Sequence, residues 1–333
     1  MQLTRQACIN LSRLPAGPRA PNRAGMNSGA NKTGGGLPYA LGAHVIWGSM
    51  PLYLLLVKSV PSLEFVAWRL VFTLPLCLAF IAWRKQGAEF RRVLRDGKAL
   101  VTLLSSSAMI AINWFLYVWA IQNDHVYAAS LGYYILPLTM MLLGLAVLGE
   151  KLTRRQWAAV ALAVLGVSAL AAGALMTLWV SLSLAITFGI YGLLRKTVAA
   201  GALVGLTVET LILMPAALAI VGWYWASPSG PAIGHGWGLA LAIAWSGPMT
   251  ATPLLLFATA ARRMPYTVIG FLQFLSPTVV FLLGLFVFGE ELYPAQLACF
   301  TAIWIAAALF TWDLLRGSHP APGDEEASRG AAT

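Results

Sequence analysis

Few residues in this 333-residue chain could do chemistry away from water. Arg69, Glu64, Glu209 and His44 stand within or at the edge of long apolar runs, and Glu150 and Glu290 close two further runs beside Gly149 and Gly289. A charge near the centre of a bilayer costs at least about 2.5–3.5 kcal/mol, so such residues mark a substrate or ion pathway, or else a structural pair. Arg69 lies five residues into its run, about 7–8 Å along a helix. There it either presents a fixed positive charge to a pathway or snorkels to the outer interface. Glu64 begins the same run but stands about 140° around the helix, a poor partner for Arg69. It is either a pathway carboxylate or an acid favoured by a helix N-terminus. Glu209, six residues into its run, is placed to accept a cation or proton, with pairing to Arg195 or Lys196 as the structural alternative. Glu150 and Glu290 fall where a helix C-terminus disfavours an acid, which points to packing or gating at the interface. His44 is either a titrating group or a satisfied interior histidine.

The uncharged polar and aromatic residues add a second set. Asn113 and Gln273 lie deep in apolar runs, where an amide hydrogen-bonds a neighbouring helix or a substrate. Trp47, Trp114, Tyr117, Tyr133, Tyr134 and Tyr191 could wall an aromatic cavity, or serve singly as packing. Pro137 and Pro277 each free a backbone carbonyl inside a run, giving a hinge or a fixed kink. Other chemistry lacks its residues. No glycine loop is followed by the Lys of a nucleotide-binding turn, and no HExxH or Cys/His cluster offers a metal. Cys8, Cys77 and Cys299 have no paired spacing. No cofactor is expected.

The elements that must hold these residues follow from composition. Apolar types make up 59% of the chain and charged types 10%, against roughly 25% charged in soluble domains. About twenty apolar residues in a helix cross a hydrocarbon core of roughly 30 Å. Ten runs meet that measure: 37–57, 64–83, 99–121, 126–148, 156–174, 175–194, 203–225, 237–259, 266–288 and 295–315. The fifth and sixth are separated by a tight turn inferred at 171–174. Residues 1–36 read as a disordered basic tail, with Met26 as a candidate true start, and residues 316–333 as a second tail. With the N-terminus inside, all 22 basic residues except Lys58 and Arg69 lie on the cytoplasmic side. Merging the fifth and sixth runs would move every later cluster outside, so the charges favour ten spans and cytoplasmic termini.

The halves resemble each other. Residues 137–156, PLTMMLLGLAVLGEKLTRRQ, align at a displacement of 140 with residues 277–296, PTVVFLLGLFVFGEELYPAQ. Proline, Gly-Glu and Gln coincide, and Trp47-Gly48 corresponds to Tyr191-Gly192. Two repeats of five spans, 37–174 and 175–315, must be inverted relative to each other, as in many secondary transporters.

These residues also carry a family resemblance. The stretches WGSMPLY (47–53), PSLEFVAWR (61–69), NWFLYVWA (113–120), SLGYYILPL (130–138), YGLLRK (191–196), GLTVET (205–210), GFLQFLSPT (270–278) and FTAIWIAAALF (300–310) resemble the EamA branch of the drug/metabolite transporter superfamily. Within that branch the likeness is to RarD-type, chloramphenicol-sensitivity permeases. It covers roughly residues 37–315 and implies ten helices, a bacterial inner-membrane location and cytoplasmic termini. Three positions depart from the family pattern: Trp68 replaces a usual His, Ala128 a usual Glu, and Leu136 the Asn before the central Pro.

Together these features predict an all-α membrane protein that moves a small organic metabolite or drug-like compound by alternating access. Proton coupling through Glu64 or Glu209 is the expected energy source, and substrate exchange the alternative. An integral-membrane enzyme acting on a lipid or small amphiphile is the rival class. The bilayer and the substrate are the expected partners; a homodimer is compatible with the sequence, and nucleic acid is not expected. The charge pattern makes the topology testable: a reporter fused after Arg316 is expected to read as cytoplasmic and one within 226–236 as external. Reversed signals would sink both the orientation and the repeat.

Overall fold

The computed structural model describes residues 35–123, 125–171, 176, 178–287 and 294–316, and among these every regular element is a helix. Helix α1 spans Leu37–Leu54, with Pro38 in the first turn where a missing N–H costs no bond, and tightens into a 3-10 turn at Leu55–Val57. Helix α2 spans Ser62–Trp83, α3 Gly87–Arg95 and α4 Gly97–Gln122. Asp96 caps α4, its carboxylate accepting from the amides of Lys98 and Ala99 at 3.0 and 3.2 Å. Helix α5, Val126–Leu148, stops at Gly149, whose φ of +64° lets the next amide, that of Glu150, bond back to Gly144 O at 3.1 Å.

Helix α6, Arg154–Ala171, opens on a reciprocal cap between Thr153 and Gln156: each side chain accepts from the other's amide, at 3.0 and 3.1 Å. Helices α7, Leu178–Thr197, and α8, Ala202–Ala226, follow. The chain ends with α9, Trp237–Arg263; α10, Tyr266–Leu272; α11, Leu275–Phe286; and α12, Pro294–Arg316.

Eight stretches among the described residues are long and apolar enough to cross a membrane. They fall on α1, α2, α4, α5, α7, α8, α9 and the pair α10–α11, eight of the ten expected spans. The fifth and tenth expected spans fall on α6, which begins with two arginines, and on α12, whose apolar part is the shorter Leu297–Asp313. Most of the inferred turn at 171–174, Glu290 and both tails lie outside the described residues.

Two features differ from the sequence reading. Residues 84–98 are not merely a loop: α3 is a short amphipathic helix that buries Val93 and keeps Arg91, Arg92 and Arg95 on its polar side. The ninth span is not one helix. Pro277 has no N–H for the carbonyl of Gln273, so the backbone tightens to three-residue bonds from Phe274 to Phe271 and from Ser276 to Gln273. That separates α10 from α11. Pro137 leaves α5 continuous.

Helices pack in pairs: α2 on α8, α6 on α12, α5 on α7 and α10, and α1 on α9 and α11. Large apolar side chains face outward, among them Trp83, Phe115, Leu142, Trp223, Trp237 and Phe286, which suits hydrocarbon and not water. The Trp residues among them stand near helix ends, where indole rings favour the headgroup region.

The α2–α9 contact is backbone-close. A Cβ on Gly247 would stand 2.7 Å from Phe72 O, whereas one on Gly222 would meet nothing within 4 Å. Gly247→Ala is therefore expected to lower stability by about 1–3 kcal/mol through overpacking. Gly222→Ala should be neutral or gain up to about 1 kcal/mol from helix propensity. Unfolding in detergent compares the two; equal effects would contradict the close approach.

Candidate substrate site

Arg69 stands in the bundle interior. Its Nε donates to Thr250 Oγ1 of α9 at 2.8 Å, and its guanidinium lies 5.3 Å from the centre of the Trp114 ring of α4 and 5.8 Å from that of Phe65. The phenols of Tyr53 on α1, Tyr117 on α4 and Tyr133 on α5 are within electrostatic reach of it. Tyr117 and Tyr133 pack edge to face at 6.0 Å. Side chains from α1, α2, α4, α5 and α9 thus converge on one cation. The structure brings together Arg69, Trp114, Tyr117 and Tyr133 of the expected residues. Tyr53 and Thr250 were not singled out from the sequence; Thr250 lies between Pro248 and Pro253, and that spacing was the available signal.

Glu64 points elsewhere. Its carboxylate is buried and accepts from Trp68 Nε1 at 3.1 Å and from the Ala232 amide at 2.7 Å, tying α2 to the 3-10 turn Ala232–Gly234 after α8. Trp68, the departure from the family pattern, is therefore a donor to this acid.

Glu209 on α8 takes the ion-pair alternative. It lies 3.7 Å from Arg195 Nε, and both side chains are at most 3% exposed. Ser106 of α4 donates to the same carboxylate, and Arg195 Nη2 donates to Ala202 O at 2.8 Å. Gly205 makes room for this guanidinium, since a Cβ there would overlap Arg195 Nη1. Tyr191 is buried beside the pair and packs on Phe188 at 5.6 Å. Trp47 belongs to the same aromatic group, 5.8 Å from Phe188 and 5.6 Å from Phe257.

Other expected residues join helices. Asn113 Nδ2 donates from α4 to Leu184 O at 2.9 Å and Thr187 Oγ1 at 3.0 Å on α7. Tyr134 packs on Phe300 of α12. Glu150 is at its own helix's C-terminus, but its two oxygens accept from the amides of Tyr266 and Thr267 at 2.7 and 2.8 Å. The neighbouring helix N-terminus thus supplies the positive potential that its own end lacks. Lys196 Nζ, 4.0 Å from Glu150, donates to the carbonyls of Ala261, in the last turn of α9, and Met264, just beyond it, at 3.0 and 2.6 Å. His44 and Ser276 meet in the core: Ser276 Oγ donates to His44 O at 3.1 Å and lies 3.4 Å from Nδ1. Gln273, one turn before Ser276, is buried with its Oε1 unpartnered among the described residues, as is His44 Nε2. Pro137 and Pro277 are both buried, and a Cβ on Gly270 of α10 would stand 3.0 Å from Pro137 O.

A helical bundle with outward apolar faces and polar residues gathered inside defines a multi-span membrane protein, and its relatives place it among transporters. Residues 34–172 match the EamA-like transporter family. An uncharacterized transporter of Pseudomonas aeruginosa is 41% identical over 86% of this chain and 97% of its own length. Protein RarD of Streptomyces exfoliatus is 40% identical over 84% of this chain and 89% of its own. A solved crystal structure shares the fold, with a TM-score of 0.67 at 19% identity, over 84% of this chain and 98% of that one. The chain belongs to the EamA-like transporter family and is RarD-like within it. It is a membrane transporter of the bacterial inner membrane.

The Arg195–Glu209 pair offers a direct test of a buried ion pair in this setting. Glu209→Leu alone strands the guanidinium and is expected to cost about 3–5 kcal/mol. The joint replacement Arg195→Met/Glu209→Leu should recover most of that. Unfolding in mixed micelles measures the cycle, and equal losses in single and double variants would mean the pair is not coupled.

Proposed function

We propose that this transporter is a secondary carrier of a small organic metabolite or drug-like compound, working by alternating access. Its ten spans form two inverted five-helix repeats, 37–174 and 175–315, with both termini cytoplasmic. The observation that carries this reading is the interruption of the ninth span between α10 and α11. It falls deep in the bundle, beside His44 and Ser276, and next to the crossing of α10 with α5 at Pro137. Broken helices at a repeat interface are where carriers place binding sites and absorb motion. The packing of α2 on α8, α5 on α10 and α6 on α12 agrees with a two-fold relation, because each pair joins a helix to its counterpart in the other half. Pro137 and Pro277 are the hinges of this scheme. Trp47, Arg69, Trp114, Tyr117, Tyr133 and Tyr191 line the pathway, with Asn113 and Gln273 at its polar junctions.

Proton coupling through Glu64 or Glu209 is the energy source, and it requires their present contacts to Ala232, Trp68, Arg195 and Ser106 to break during the cycle. Purified protein in liposomes tests the whole reading. Saturable flux without product formation is expected, rising several-fold under an imposed proton gradient. Flux indifferent to that gradient favours substrate exchange. Turnover of a lipid or amphiphile without flux overturns the carrier in favour of an enzyme.

A further inference from the structure

The chain treats its two interior arginines in opposite ways. Arg195 is sealed, with Glu209 as counter-charge and Ala202 O as acceptor. Arg69 has no carboxylate within ion-pair distance among the described residues, and its only hydrogen bond to them is from Nε to the neutral Thr250 hydroxyl. Its two Nη groups bond to no described residue, yet they are absent from the buried orphan atoms that include Arg195 Nη1. They are therefore not sealed by the described residues around them. A guanidinium held there without a counter-charge is stable only if an anion or water completes it. The free end presents parallel N–H donors, the arrangement that matches both oxygens of a carboxylate.

The surroundings choose the rest of the molecule. Phe65 and Trp114 flank the guanidinium, and the phenols of Tyr117, Tyr133 and Tyr53 are within electrostatic reach of it, the first two packed edge to face. Rings favour a flat apolar body by offset or edge contact. We propose that Arg69 binds the carboxylate of the transported compound, a small organic anion with an aromatic or similarly flat apolar body, and that Trp114, Tyr117 and Tyr133 hold that body. This assignment rests on the carrier reading above for its role in transport, but binding itself can be measured without flux.

The experiment uses the full chain in nanodiscs of phosphatidylcholine, which carry no net charge, with phenylacetate as probe and phenylacetamide as its neutral counterpart. Calorimetry should show phenylacetate binding at least ten-fold tighter than the amide. Arg69→Gln should abolish that preference, and Arg69→Lys, which keeps the charge but not the fork, should retain part of it. Gel filtration confirms folding of each variant; should Arg69→Gln not fold, Arg69→Lys carries the test together with Trp114→Leu, which should weaken both probes alike. Equal binding of the two probes, no saturable binding of either, or a preference that survives loss of the arginine overturns the proposal. So does competition in which phosphatidylglycerol alone occupies the site and phenylacetate never displaces it. Flux of neutral compounds without anion binding would remove the assignment and leave the carrier; anion binding without flux of any compound would do the reverse.

Discussion

Hydrocarbon neither donates nor accepts a hydrogen bond, so a polar group carried into a span of this protein has only the chain itself to turn to for a partner. That constraint organises the interior. Glu64 is satisfied by a loop amide and an indole, Glu150 by the first turn of α10, and Glu209 by an arginine and a serine. Apart from the indole of Trp68, which lies one turn along α2 from Glu64, these bonds join different helices or loops, so the polar minority helps fix which segments meet. The apolar majority, alike on all sides, sets only that they lie in a membrane. Arg69 stands apart from these acids, since among the described residues its guanidinium has no carboxylate within ion-pair distance.

The backbone answers to the same constraint at span nine. Removing one N–H with Pro277 does not leave Gln273 O to hydrocarbon; the chain re-forms shorter-range bonds and breaks the helix into two. Pro137, at the aligned position, interrupts nothing visible in α5. Gly270 brings α10 against that very carbonyl region, so the two prolines meet their neighbours differently although the sequence places them alike.

Much of the fold was legible because hydropathy and loop charge are additive along the chain, and both read the spans directly. The amphipathic helix α3 escaped that reading because its charged and apolar residues alternate over too few turns to stand out from a basic loop. The site was legible in type and not in pairing. Arg69, Trp114, Tyr117 and Tyr133 were recognisable as costly or aromatic residues at depth, yet only three-dimensional packing brings Tyr53 and Thr250 to them. Asn113 and Glu64 looked equally functional in one dimension. Each has a backbone partner beside its side-chain one, Leu184 O and Ala232 N, and a backbone atom has no signature in sequence.

The grip of Glu150 on the amides of Tyr266 and Thr267 has a mechanical meaning. Both amides sit in one turn of a seven-residue helix, and one carboxylate holds both. The carboxylate thus clamps the end of α5 to the first turn of α10, so any separation of these two segments must give up both bonds.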